Sequence, residues 1–148
     1  MIFVCAMTMA QTNAYPLLPM PQNYKVTDKS FAMGKVKLST PVLKSEWEAF
    51  IVNAGGELAD KAAAEIKIEL LPVIDGVKLN PDEAYRLSVS GKLIKIEAVT
   101  ERGVYWALQT LRQLEKKKGK KSLFAGCEIV DWPAFRIRGF MQDVRSEE

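Results

Sequence analysis

Tyr85-Arg86-Leu87-Ser88-Val89-Ser90-Gly91-Lys92-Leu93-Ile94-Lys95-Ile96-Glu97-Ala98 is the stretch on which the fold turns. Tyr85, Leu87 and Val89 alternate with Arg86 and Ser88, and Ile94, Ile96 and Ala98 alternate on the way back. Period two is strand spacing, and Ser90-Gly91-Lys92 between the two runs is turn chemistry. The segment therefore predicts a β-hairpin with one apolar and one wet face.

Working outward, Gly103 to Leu114 carries Val104, Ala107, Leu108, Leu111 and Leu114 at helical spacing, which predicts a helix starting after Thr100 and closing at Lys116-Lys117-Lys118-Gly119. Cys127 to Asp131 reads as a last strand, leading into Trp132-Pro133. On the other side, Glu65 to Leu70 alternates charged with branched residues, another half-solvated strand. Ser45-Glu46-Trp47-Glu48 fits a capping box, followed by Trp47, Phe50, Ile51 and Ala54 on one helical face and a stop at Gly55-Gly56. A first strand is expected around Lys35 to Leu38, and the proline-rich Tyr15 to Gln22 should run extended over the surface. The order is strand, helix, strand, hairpin, helix, strand. It predicts an α+β fold with two helices on one face of a mainly antiparallel sheet.

The whole chain bounds the reading further. Its 148 residues suit one domain, and 48% hydrophobic content supplies a core without metal or disulfide support. Twenty-one basic against 18 acidic residues leave +3, which does not make the clustered basic footprint of a nucleic-acid binder. The sequence has no histidine, which removes Ser-His and Cys-His nucleophile pairs and His-containing zinc sites. Cys5 lies in the apolar run Met1 to Ala10, too short to span a bilayer and similar to the core of an export signal; residues 1–14 are read as a signal remnant. Cys127 then stands alone as a buried, inert thiol.

Candidate sites are few. There is no Gly-rich phosphate loop, Cys-x-x-Cys, His-Glu-x-x-His or Gly-x-Ser-x-Gly. Lys116 to Lys121 reads as a solvated helix end and loop, with no aromatic residue to stack on a base. Asp82-Glu83 is a carboxylate pair after Asn80-Pro81, read as a turn rather than an acid–base couple. Trp47 belongs to the core, whereas Trp106 and Trp132 are open to a sugar platform or an interface. Phe135 to Arg145 reads as a further strand that stops before it has neighbours. Its apolar residues lack complete burial partners, so it is expected to be disordered, or ordered only against another copy.

Taken in order, these pieces resemble glycoside hydrolase family 20. Leu17-Leu18-Pro19-Met20-Pro21-Gln22, the hairpin around Tyr85, Gly103 to Leu114 and Ile129-Val130-Asp131-Trp132-Pro133-Ala134-Phe135-Arg136-Ile137-Arg138-Gly139 look like successive parts of its zincin-like N-terminal domain and the approach to its (β/α)8 barrel. The resemblance implies that residues 15–134 form a non-catalytic accessory domain and 135–148 the first strand of the barrel. The parent enzyme would be an exported bacterial β-N-acetylhexosaminidase that removes terminal N-acetylhexosamine from glycans. The acetamido oxygen of the substrate would be the nucleophile. Its Asp-Glu pair, in His-x-Gly-Gly-Asp-Glu, is absent here, so no catalytic residue, metal ligand or cofactor is assigned to this chain. The implied partners are the barrel itself and, through it, a glycan. One sugar contact of the family falls near Arg145, although Arg145 follows Asp143 by two positions where the motif has three. A free-standing carbohydrate-binding or scaffold module is the reading from another class. The equivalent domain of another N-acetylglucosaminidase or glucuronidase is the enzyme runner-up.

Overall fold

The structure, a computed structural model, describes residues 16–136. The expected hairpin forms from β6 (Tyr85–Ser90) and β7 (Leu93–Ala98), with Gly91-Lys92 as a two-residue turn. Its inward set, Tyr85, Leu87, Val89, Ile94, Ile96 and Ala98, is wholly buried. Around it assemble β1 (Asn23–Val26), β3 (Lys35–Ser39), β4 (Glu57–Leu58), β5 (Ala64–Leu70) and β10 (Cys127–Asp131), in the order β1-β10-β6-β7-β5-β3-β4. A second, three-stranded sheet joins β2 (Phe31–Ala32), β9 (Lys121–Phe124) and β8 (Glu115–Lys118).

The α+β class holds, but the large sheet is mixed rather than mainly antiparallel. β1, β10, β6 and β7 pair antiparallel, whereas β7–β5, β5–β3 and β3–β4 pair parallel. For β3 with β4 and β5 the reason is the crossover, while β7 is parallel to β5 because it returns from β6 as the second arm of the hairpin. α1 (Lys44–Asn53) lies between β3 and β5, and a strand–helix–strand unit returns the chain in its original direction. Alternation along a strand reveals its two faces and says nothing about the direction of its neighbour.

Both helices cover one sheet face. Trp47, Phe50 and Ile51 of α1, and Val104, Ala107, Leu108 and Leu111 of α2 (Glu101–Gln113), share one core with Ile66, Leu87, Ile96 and Ile129. The opposite face carries a ladder of charge. Lys37–Glu65, Lys95–Glu69 and Arg86–Glu97 reach across adjacent strands, and Lys67–Glu69 and Lys95–Glu97 link alternate residues of one strand, all at 2.6–3.8 Å. The Lys95 hydrogen bond, seconded by Arg86, holds the Glu97 carboxyl below the usual range.

Two local expectations are corrected. Ser45 does not cap α1: Leu43, in the left-handed region at φ 53, precedes the helix, and Ser45 Oγ donates to the Glu46 carboxylate at 2.9 Å. The basic run is not a helix end either. α2 stops at Gln113, and Glu115 to Phe124 form a hairpin about Gly119-Lys120, with Gly119 at φ 63. Lys117 Nζ donates to Glu115, Ser122 and the Asn53 carbonyl, tying the strand to the end of α1. Phe124 of this hairpin meets Phe31 and Phe50 at ring-centroid distances of 6.4 and 5.5 Å, so aromatics knit the small sheet to α1.

The proline-rich segment does run along the surface, with more anchoring than its composition implies. Leu17 is buried, and Leu18 exchanges two hydrogen bonds with the Gln113 side chain, at 2.9 and 3.0 Å. Beyond it β1 closes the sheet against β10, pairing Asn23 with Val130.

Candidate functional site

The start of α2 is built from three short-range devices. Thr100 caps it, its Oγ1 accepting from the Arg102 amide at 3.2 Å and donating to the Asp82 carbonyl. Gly103 lets the first turn close on the strand below; a Cβ there would lie 2.2 Å from the Ala84 carbonyl oxygen. Opposite, Asn80 takes the left-handed region at φ 46 and starts a single 3-10 turn, Pro81–Glu83. Its amide donates to the Pro133 carbonyl at 2.7 Å, pinning the chain after β10 beside this turn.

Between the turn and α2 lies an open groove of about 780 Å³, lined also by Leu43 ahead of α1. Its carboxylates are engaged. Glu83 is buried and accepts from Trp106 Nε1 at 2.9 Å, while Asp82 faces Arg102 at 3.7 Å. These bonds fasten the turn to the helix, in keeping with the reading of Asp82-Glu83 as structure rather than an acid–base couple. Tyr105 and Trp106 form the rest of the wall, 46% and 39% exposed, their rings edge to face at 5.2 Å. Tyr105 was legible only by subtraction: once the buried stripe is removed from α2, positions 105 and 106 put two adjacent aromatics outside the core.

Of the other candidates, Trp47 is fully buried and Trp132 covers a small cluster with Ile74 and Ala84. Only Trp106 is placed to meet a ligand or partner. Cys127 is a buried free thiol, which burial pushes up to about 12. Arg145, Cys5 and the apolar run Met1 to Ala10 lie outside the described residues. Among the described residues no group of three or more acidic, thiol or imidazole side chains could hold a metal ion. No helix there is long and apolar enough to cross a membrane.

Toward the end of α2, Tyr85, Thr110 and the half-buried Asp131 form a relay. The Tyr85 hydroxyl shares a 2.6 Å hydrogen bond with Thr110 and donates to Asp131 at 3.3 Å, and Asp131 also accepts from the Gln22 amide at 3.1 Å. Burial raises the Asp131 carboxyl above its ordinary value and, more strongly, the Tyr85 phenol. This relay holds the first and last strands together under α2.

Comparison with known proteins gives one consistent answer. Residues 14–132 match the family model described as glycosyl hydrolase family 20, domain 2. A β-hexosaminidase of Vibrio furnissii is 36% identical over 84 residues, covering 57% of this chain and 13% of that protein. A solved exo-β-N-acetylglucosaminidase of family 20 from Vibrio harveyi superposes with a TM-score of 0.64 at 30% identity, over 84% of this chain and 20% of that one. The protein CpGH84B superposes at 0.68 with 21% identity, over 90% of this chain and 26% of its own, which shows a shared fold. This chain thus spans between about an eighth and a quarter of the lengths of these proteins.

Proposed function

The chain belongs to glycosyl hydrolase family 20, domain 2, and from that premise we propose that it is the non-catalytic accessory domain of an exported β-N-acetylhexosaminidase, which it serves by docking its helical layer on the catalytic domain. The observation that carries this is the asymmetry of the two outer surfaces. The far sheet face is a ladder of paired charges, while the helical side presents Tyr105, Trp106 and the exposed Leu18 and Met20. Apolar area of that kind, beside the point where the chain leaves the domain, suits a partner surface. Arg145 belongs to the same proposal as a sugar contact at the end of the first barrel strand.

Two measurements test it. The purified chain should release no nitrophenol from a nitrophenyl N-acetylglucosaminide above buffer background; turnover abolished by Glu83→Gln would refute the accessory role. In a full-length enzyme carrying this domain, Trp106→Glu should lower the melting temperature while leaving the far-face variant Lys67→Gln near the parent. Equal, negligible effects would sink the docking role. The exposed Tyr105–Trp106 pair also supports a second reading, a carbohydrate platform. Titration with a chitooligosaccharide decides between them: saturable quenching lost in Trp106→Ala supports the platform.

A further inference from the structure

We propose that the β8–β9 hairpin is a docking surface for an acidic polysaccharide, held through Lys118, Lys120 and Lys121 at the end of the domain remote from the groove. The inference rests on the hexosaminidase reading above, and deepens it by naming the class of glycan that the domain keeps near the enzyme.

Positive charge is concentrated in this hairpin. Glu115 to Phe124 carries five lysines against the single Glu115, so these ten residues hold +4 where the whole chain holds +3. One of the five has a structural task. Lys117 donates to Glu115, Ser122 and the Asn53 carbonyl, where a cation also suits the negative end of the α1 dipole. The others point elsewhere. Lys116 and Lys118 share the opposite side of β8, Lys121 stands directly across from Lys118, and Lys120 sits in the turn. Among the described residues no carboxylate pairs with Lys118, Lys120 or Lys121.

Lysine opposite lysine costs a hairpin stability, and the large sheet answers its strand lysines with carboxylates. Lys25, Lys35 and Lys37 stand across from Glu128, Glu57 and Glu65 at 3.7–3.8 Å. Where Lys67 and Lys95 oppose each other, Glu69 and Glu97 bridge them. The hairpin withholds that answer, so its counter-charge comes from outside. Position keeps the patch open. α1 runs from Leu43, which lines the groove, to Ala54, whose carbonyl accepts from the Ser122 amide. A helix of that length puts about 15 Å between its ends, so the lysines stand away from the surface offered to the catalytic domain.

The chemistry selects the partner. Lys116 and Lys118 are about 7 Å apart along the strand and Lys118 and Lys121 about 5 Å across it. Lysine is a hydrated point charge rather than a planar fork, so this array suits a row of anions more than one shaped group. β8 also ends the small sheet, and sugar hydroxyls can bond to the backbone groups of its outer edge. The outward side carries no aromatic ring for a base to stack on. Its apolar residue, Leu123, is half-buried, which leaves nothing to enter a bilayer.

Calorimetric titration of the purified full chain with chondroitin sulfate tests this, with neutral chitohexaose, phosphatidylglycerol vesicles and duplex DNA as comparisons. Binding should be saturable, absent with chitohexaose, and weaker by at least about tenfold on going from about 50 to about 200 mM salt, as several released counterions require. The triple variant Lys118→Gln, Lys120→Gln, Lys121→Gln should lose at least about tenfold in affinity at the lower salt. Its melting temperature should equal or exceed the parent's, because the opposed lysines are relieved. Lys120→Glu alone, in the turn, should weaken binding without touching a paired strand position. The control triple Lys25→Gln, Lys35→Gln, Lys37→Gln removes the same charge from the large sheet and should bind like the parent. A parent chain that does not bind would overturn the inference, as would equal weakening in both triples. Tighter binding to vesicles or DNA than to chondroitin sulfate would assign the patch to that partner and overturn it equally. If binding fails while Trp106→Glu still loosens the full-length enzyme, the docking role stands and this inference alone falls.

Discussion

At Gly103 the ordinary preference of a helix is reversed. Alanine is normally the better helix residue by about 1 kcal/mol, yet here its methyl would press on the Ala84 carbonyl, 2.2 Å away, and on the Ala98 Cβ, 3.0 Å away. Gly103→Ala should therefore cost about 1–3 kcal/mol, the range for overpacking, in urea denaturation; a gain would show that α2 stands further from the turn. Asp131 makes a prediction with a pH signature. Its folded value is raised by burial, so the folded state binds the proton more tightly than the unfolded one. That contribution to stability is complete below the unfolded value and is lost as pH rises through the folded one. Asp131→Asn should thus be more stable than the parent at pH 7, with the difference shrinking on acidification. The asparagine carbonyl can still accept from Gln22, and the Tyr85–Thr110 bond can turn its donor around. A difference independent of pH between 4 and 7 would show that desolvation of the carboxylate is not its source.

Elements whose signal is local and repeated were legible, and those set by distant partners were not. The α2 stripe and the hairpin needed only their own periodicity. Leu108 and Leu111 lie at 1% and 0% exposure, so truncating either to alanine should cost about 2–5 kcal/mol; losses under about 0.5 kcal/mol in urea denaturation would contradict the packing. The capping box failed because Thr40 turns the chain first, its hydroxyl donating to the Val42 carbonyl at 2.6 Å, and the helix then begins at Lys44, two residues too early for Ser45 to cap. The lysine run was misread because Lys116 to Lys121 contains no apolar alternation; its strand character comes from pairing across Gly119 and from Phe124 anchoring beneath. In the candidate site, the engagement of Asp82-Glu83 depends on Trp106 and Arg102, some twenty residues along, so the sequence showed the residues but not their bonds. The charge ladder behaves oppositely to Asp131. Glu97 is held low by Lys95, a contribution present above its unfolded value and lost as pH falls through the folded one. Glu97→Gln should cost about 0.5–1 kcal/mol at pH 7, as surface ion pairs do, and nothing near pH 2. A constant loss across that range would assign the effect to packing.

For the molecule as a whole, the missing information was the direction of the strands. The crossover through α1 makes β3 parallel to β4 and β5, and β5 is parallel to β7 because residues 71–84 carry the chain past it to β6, whose hairpin returns as β7; the sequence order contained both connections and the alternation of faces obscured them. The two edges of the large sheet differ in kind. At one, β4 is a two-residue stub, a short edge that offers little backbone for another chain to pair with. At the other, β1 lies against β10, so residues 23–26 wait for residues 127–130 before either is complete. On the ribosome that wait has a definite end. The module can fasten its outer strand only when the chain has been made through Asp131. Long-range closure of this kind is slow relative to local helix and hairpin formation. Until then β10's neighbour β6 stands as an unfinished margin. The large sheet thus reaches its full width only when the first and last of its strands have both been made.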